Sequence, residues 1–166
     1  DESVIKLEFK KREDTSIDKS TFIISKELAD DIIACDYMVN SEKLEYDSKI
    51  VKALIKLKSI GYRPRVIVEY DREAYTLPLG NTRITIDKNL RSYNNETELF
   101  SIKYPSYPIL DDNLHILEVK FSNYLPQSVK YLLNSIDAIP HSISKYTLCQ
   151  KYINPRPWTD NLSVPF

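Results

Sequence analysis

Arg83-Ile84-Thr85-Ile86-Asp87 and Leu117-Glu118-Val119-Lys120-Phe121 are the stretches whose reading decides the fold. Both alternate polar and apolar side chains with the period of two that belongs to a β-strand. Arg83, Thr85 and Asp87 fall on one face, and Ile84 and Ile86 on the other. Glu118 and Lys120 likewise stand opposite Leu117, Val119 and Phe121. The segment from Val4 to Arg12 repeats the pattern, with Ile5, Leu7 and Phe9 opposing Lys6, Glu8, Lys10 and Arg12. Rows so fully charged have two structural readings. One is an antiparallel sheet with a single solvated face. The other is a barrel with a polar lumen, whose converging charges must be paired or liganded. Periodicity alone does not separate them.

Around these strands the pattern predicts further elements. A second strand is expected at 16–24, and Ser25 reads as the N-cap of a helix from Lys26 to Tyr37 with Leu28, Ile32 and Cys35 on one face. A longer helix fits 43–60, with Ile50, Leu54 and Leu57 as its apolar stripe, Gly61 as C-cap and Pro64 barring continuation. Strands are expected at Arg65–Asp71, Glu73–Leu77, Arg83–Asp87 and Leu114–Phe121, with Pro78-Leu79-Gly80-Asn81 as a hairpin turn. Pro126 starts a helix with Val129, Leu132, Leu133 and Ile136 facing inward. Residues 1–153 form one domain on this reading, and 154–166 an irregular tail rich in proline. The class is α+β, with antiparallel strands and segregated helices.

Composition narrows the chemistry. The chain has 166 residues, enough for one real core, with 42% hydrophobic and 28% charged residues. Only two glycines occur, Gly61 and Gly80, so neither a P-loop nor a dinucleotide fingerprint can be built. Phosphate binding, if present, must come from side chains. The net charge of −1 creates no global field for nucleic acid or an anionic membrane. Cys35 and Cys149 lie far apart among apolar neighbours and read as buried thiols. His115 and His141 read as members of hydrogen-bond networks. No apolar run is long enough to span a bilayer and no signal peptide opens the chain, so a cytoplasmic location is expected.

Three ordered stretches carry a resemblance. They are Tyr70-Asp71-Arg72-Glu73-Ala74-Tyr75, Arg83-Ile84-Thr85-Ile86-Asp87 and Ile116-Leu117-Glu118-Val119-Lys120. With Leu7-Glu8-Phe9-Lys10 before them and Ser144-Lys145-Tyr146 after, they resemble the motifs of the VTC domain. That domain is the polyphosphate polymerase module of the triphosphate tunnel metalloenzyme superfamily. The resemblance implies an antiparallel β-barrel, a tunnel lined by charged side chains, with helices packed outside. It implies that Lys10, Lys19, Arg72, Arg83 and Lys145 grip phosphate oxygens, with Arg72, Arg83 and Lys145 serving catalysis. Glu118 would hold a divalent cation, Mn²⁺ or Mg²⁺, and Glu8 and Lys120 would be further tunnel residues. The implied partners are inorganic polyphosphate, triphosphate or a nucleoside triphosphate, and the implied reaction is metal-dependent transfer of a γ-phosphate to a polyphosphate chain. A non-catalytic polyanion-binding module and a triphosphatase of the same superfamily are the competing functions.

The chain departs from the family pattern in two places. The family's upstream strands, which supply a lysine and an Arg-x-Arg pair, have no match here. The N-terminal part of the domain is therefore expected to be missing, and this fragment alone to be inactive. Ser142 also stands where the family can carry another basic residue. Simpler readings exist residue by residue. Arg72 beside Asp71 and Glu73 could be a surface ion pair of little energetic weight, and Lys10 part of a solvated charge run. Replacing either Arg72 or Arg83 is expected to weaken tripolyphosphate binding without unfolding the domain.

Overall fold

The computed structural model describes residues 4–13, 16–36, 48–93, 99–100 and 105–153. The chain divides into two compact units, residues 1–64 and 65–166. In the first unit β1 (Ile5–Glu13) and β2 (Ser16–Ile24) form an antiparallel hairpin with Lys10 directly opposite Lys19 and Glu8 opposite Thr21. Leu7 and Phe9 lie on the other face, where Phe9 meets Phe22 edge to face.

Two helices follow in this unit, α1 (Lys26–Ile33) and α2 (Ser48–Ser59). The Ser25 hydroxyl caps α1 by accepting the Leu28 N–H at 3.2 Å. The helix stops four residues short of the expected end, because Cys35 takes a left-handed φ of 58°; Tyr37 lies outside the described residues. Ile50 and Leu54 are buried along the stripe of α2, while residues 43–47 of the expected helix fall outside the description. Gly61, at φ 65°, ends α2 as expected. Its N–H goes to the Lys58 carbonyl and that of Tyr62 to the Leu57 carbonyl, which is the paired bonding of a Schellman cap.

The second unit is built on a four-stranded antiparallel sheet. Strand β4 (Thr82–Tyr93) is its spine. It pairs with β3 (Ile67–Leu77) along one edge, and with β5 (Ser106–Pro108) and β6 (Ile116–Lys120) along the other. Helices α3 (Gln127–Asn134) and α4 (Lys145–Ile153) complete it. Val129 is buried on α3, but Leu132 and Ile136 are exposed, contrary to their expected inward placement. The tail at 154–166 lies outside the described residues.

The strands expected at 4–12, 65–71, 83–87 and 114–121, which a barrel would join, fall into two sheets among the described residues. Among the described residues β1 pairs with β2 alone, and no ladder closes a barrel. The helix α4 also packs on the face that carries the charged row rather than on the apolar one. A β-bulge explains this. Asn89, at φ 52°, and Leu90 together oppose the stretch between Glu69 and Asp71, so the facing parity switches. Beyond the bulge Leu90 and Ser92 continue the face of Asp87. Leu90, Ile116 and Cys149 form the buried core there, with Val68, Tyr70 and Leu148 against it. One face is thus apolar and helix-covered at one end, and polar at the other.

The β3–β4 connection depends on Gly80, whose φ is 65°. A Cβ at this position would stand 2.4 Å from the Tyr124 carbonyl oxygen, while the Gly80 carbonyl accepts the Ser122 N–H at 2.8 Å. Gly80→Ala combines left-handed strain of about 1–2 kcal/mol with a backbone clash. The expected result is a lower denaturation midpoint with an unchanged slope.

Candidate functional site

The polar end of this face is organised around Asp87. Its side chain is 0% exposed, and a carboxylate so buried must be paired to stay charged. Arg72 lies directly opposite on β3. It donates through Nε to Oδ1 at 2.6 Å and through Nη2 to Oδ2 at 2.8 Å, as a bidentate fork. Lys145 Nζ adds a contact to Oδ2 at 2.5 Å. The two cations hold the Asp87 carboxyl below its usual range, Arg72 by its hydrogen bond first and Lys145 after it, against the opposing effect of burial. The Arg72 guanidinium is held above its ordinary value by the same bond. The Tyr70 ring carries both, each 5.0 Å from its centroid.

Lys145 is the first residue of α4, where the macrodipole disfavours a cation. Ser144 caps that end by accepting the Thr147 N–H at 3.3 Å. Asp87 supplies the negative charge that the helix end does not. The arrangement brings a lysine into the sheet face without burying it: Arg72 is 33% and Lys145 20% exposed, so each keeps N–H donors for something outside the protein.

Register supplies the rest. Directly opposed residues of an antiparallel ladder share a face. Arg83 faces Lys120 and Thr76, and Thr85 faces Glu118 and Ala74. Arg72, Arg83, Glu118, Lys120 and Lys145 therefore gather on one side of the sheet. The family model of the VTC domain matches residues 1–154. The chain belongs to the VTC domain family. No curated protein and no solved structure gave a match.

Within this VTC domain the charges are unequally committed. Lys120 is paired with Glu118 at 3.0 Å. Arg83 is exposed, and no carboxylate pairs with its guanidinium among the described residues. Thr85 is buried, and its Oγ1 has no hydrogen-bond partner among the described residues. In the first unit Glu8 lies between the two opposed lysines, 2.7 Å from Lys19 and 3.9 Å from Lys10. Lys19 holds its carboxyl below the ordinary value. Lys10, Lys19 and Glu8 thus share one hairpin face.

Sequence reasoning overlooked Asp87, Tyr70 and Thr85 as site members, although all three stand inside the quoted stretches. The signal available was the polar row itself: an Asp after Ile86 on a strand with buried neighbours needs a cation. Cys149 is a buried thiol, as expected, with its ionisation pushed up by burial. His115 and His141 are exposed. Among the described residues no three His, Cys, Asp or Glu side chains converge on a common point, and no helix is long and apolar enough to cross a membrane.

Proposed function

We propose that this VTC domain binds inorganic polyphosphate, or the triphosphate of a nucleotide, along the charged end of the second unit's sheet. From a nucleoside triphosphate it transfers the γ-phosphoryl group to the terminal oxygen of a polyphosphate chain and releases the nucleoside diphosphate. The observation that carries this reading is the convergence of Arg72, Arg83, Lys120 and Lys145, together with the half-buried acid Glu118, on one face. A polyanion is the ligand such a face can satisfy. Membership of the VTC family supports it. The charged face then serves as one wall of an antiparallel tunnel.

The chemistry asked of these residues is modest. The terminal oxygen of a polyphosphate chain is anionic at neutral pH, so no general base is required. Phosphoryl transfer needs alignment of two anions and neutralisation of the charge between them. The free edge of the Arg72 fork and the Arg83 guanidinium suit bidentate contact with phosphate oxygens. Lys145 and Lys120 act as point charges. The nucleotide donor implies a cytoplasmic setting.

A divalent ion fits the donor set. Mg²⁺ or Mn²⁺ is commonly held by one or two carboxylates and completed by substrate phosphates and water. Glu118 offers a half-buried carboxylate directly opposite Thr85, whose buried hydroxyl oxygen lacks a hydrogen-bond partner among the described residues. Bound there, the ion would supply charge neutralisation between protein and phosphate. Glu118 would exchange its bond to Lys120 for this role and leave the lysine free for phosphate. The pairing of Glu118 with Lys120 equally suits a module that binds polyanions without turnover, and the Glu118 variant discussed below separates the two.

Arg83 gives the cleanest test of binding. Because it has no internal carboxylate partner among the described residues, Arg83→Ala removes a ligand contact and no structural one. Calorimetry with tripolyphosphate should show a loss of about 1.5–3 kcal/mol, with the melting temperature unchanged. Unaltered affinity would place the ligand elsewhere.

A further inference from the structure

We infer that Asp87 is the positioning residue of this site, fixing Arg72 and Lys145 so that their remaining N–H donors present to the phosphate chain. The inference rests on the polyphosphate reading and assigns a role to an acid that the reading itself would count as unfavourable.

The geometry makes the case. An anion beside an anion-binding site repels the ligand, so a carboxylate here needs a compensating use. Asp87 has no access to solvent and cannot bind a ligand directly. Both its oxygens are spent on cations: Oδ1 takes Arg72 Nε, and Oδ2 takes Arg72 Nη2 and Lys145 Nζ. This consumes the inner edge of the guanidinium and leaves Nη1 directed away from the carboxylate. It consumes one of the three ammonium protons of Lys145 and leaves two. Tyr70 supports both groups from the ring face at 5.0 Å. Two long side chains, which otherwise carry much rotamer entropy, are thereby held before any ligand arrives. Binding then does not have to order them. Asp87 also links β4 to the first residue of α4, so strand and helix contributions to the site keep one spacing.

The test is the sign of the effect. Asp87→Asn keeps the shape and removes one negative charge close to the phosphates. Simple electrostatics predicts tighter binding. Positioning predicts weaker binding, by roughly tenfold or more, as expected when a charge-assisted contact is lost. Calorimetry on the full-length protein with tripolyphosphate reads this directly. In the background Arg72→Ala with Lys145→Ala, the same Asp87→Asn change should cause no further weakening, since nothing is left to position. A purely structural role would weaken binding in both backgrounds and so overturns the inference. A second measurement serves if the Asn variant does not fold. The Arg72 Nε–H proton of the unsubstituted protein should keep its shift and slow exchange when tripolyphosphate saturates the site. Its release would show that Asp87 is displaced by the ligand, against the inference. If the unsubstituted protein binds no tripolyphosphate, the functional reading falls as well. If it binds and Asp87→Asn binds as tightly or tighter, only the positioning role falls.

Discussion

Arg72→Ala is expected to lower stability and tripolyphosphate affinity together. The arginine is the fork partner of a carboxylate with no solvent access, and removing it leaves Asp87 with Lys145 alone. Breaking a buried pair by deleting one partner costs about 3–5 kcal/mol. Arg72 is one-third exposed, so water moderates the loss and about 2–3 kcal/mol is the better figure. For a chain of this size that corresponds to a fall in melting temperature of roughly 5–10 °C. The acid limb should move too. Arg72 depresses the Asp87 carboxyl in the folded state. The stability this contributes is complete above the ordinary carboxylate range and is lost as pH falls through the lower folded value. Without Arg72, acid unfolding should begin at a higher pH. Thermal melts across pH 3 to 7 would read both effects, at roughly unit pH steps. A variant that melts and titrates like the parent would mean that the fork does not hold. The sequence-based expectation is that neither replacement unfolds the domain; the fork to Asp87 adds a predicted stability cost for Arg72→Ala that Arg83→Ala does not share.

Glu118→Gln is expected to abolish chain synthesis while leaving polyphosphate binding intact. The substitution preserves shape and removes the charge a hard cation needs. Loss of one electrostatic partner of a transferring phosphoryl group costs roughly two to three orders of magnitude in rate. Freed from Glu118, Lys120 becomes available to phosphate, so tripolyphosphate affinity should hold or rise. Polymerisation, melting temperature and affinity, each with and without Mn²⁺, decide the matter in the full-length protein. An active variant would remove the metal role. A joint loss of stability and affinity, indifferent to Mn²⁺, would make Glu118 a structural ion-pair partner in a non-catalytic binder.

What could be read in advance followed local chemistry. Ser25, Gly61 and the Pro78–Asn81 turn were legible because caps and turns are set by a few neighbouring residues. The strands were legible wherever polar and apolar residues alternated. The misplaced breaks have a common cause. Asp71-Arg72-Glu73 resembles a solvated interruption, and the expected strands stop on either side of it. In the structure β3 runs through, because partners on β4 satisfy each charge: Asn89 for Asp71, Asp87 for Arg72 and Lys88 for Glu73. Lys88-Asn89 likewise looks like a strand end, yet Asn89 is absorbed as a bulge. That bulge turns Leu90 and Ser92 to the face of Asp87 and brings α4 onto it. Such a shift of parity is invisible to a period of two. For the same reason Asp87 was read as one member of a polar row rather than as the buried hub between two cations. The short β5 offers too few residues for any period to register.

The central claim is that the charged face of the second unit holds a phosphate chain through Arg72, Arg83 and Lys145. Its most direct test is a calorimetric titration of the full-length protein with orthophosphate, pyrophosphate and tripolyphosphate at two salt concentrations. Saturable binding that strengthens with each added phosphate and weakens with salt is the predicted result. Equal, weak binding of all three anions, or none, would contradict it.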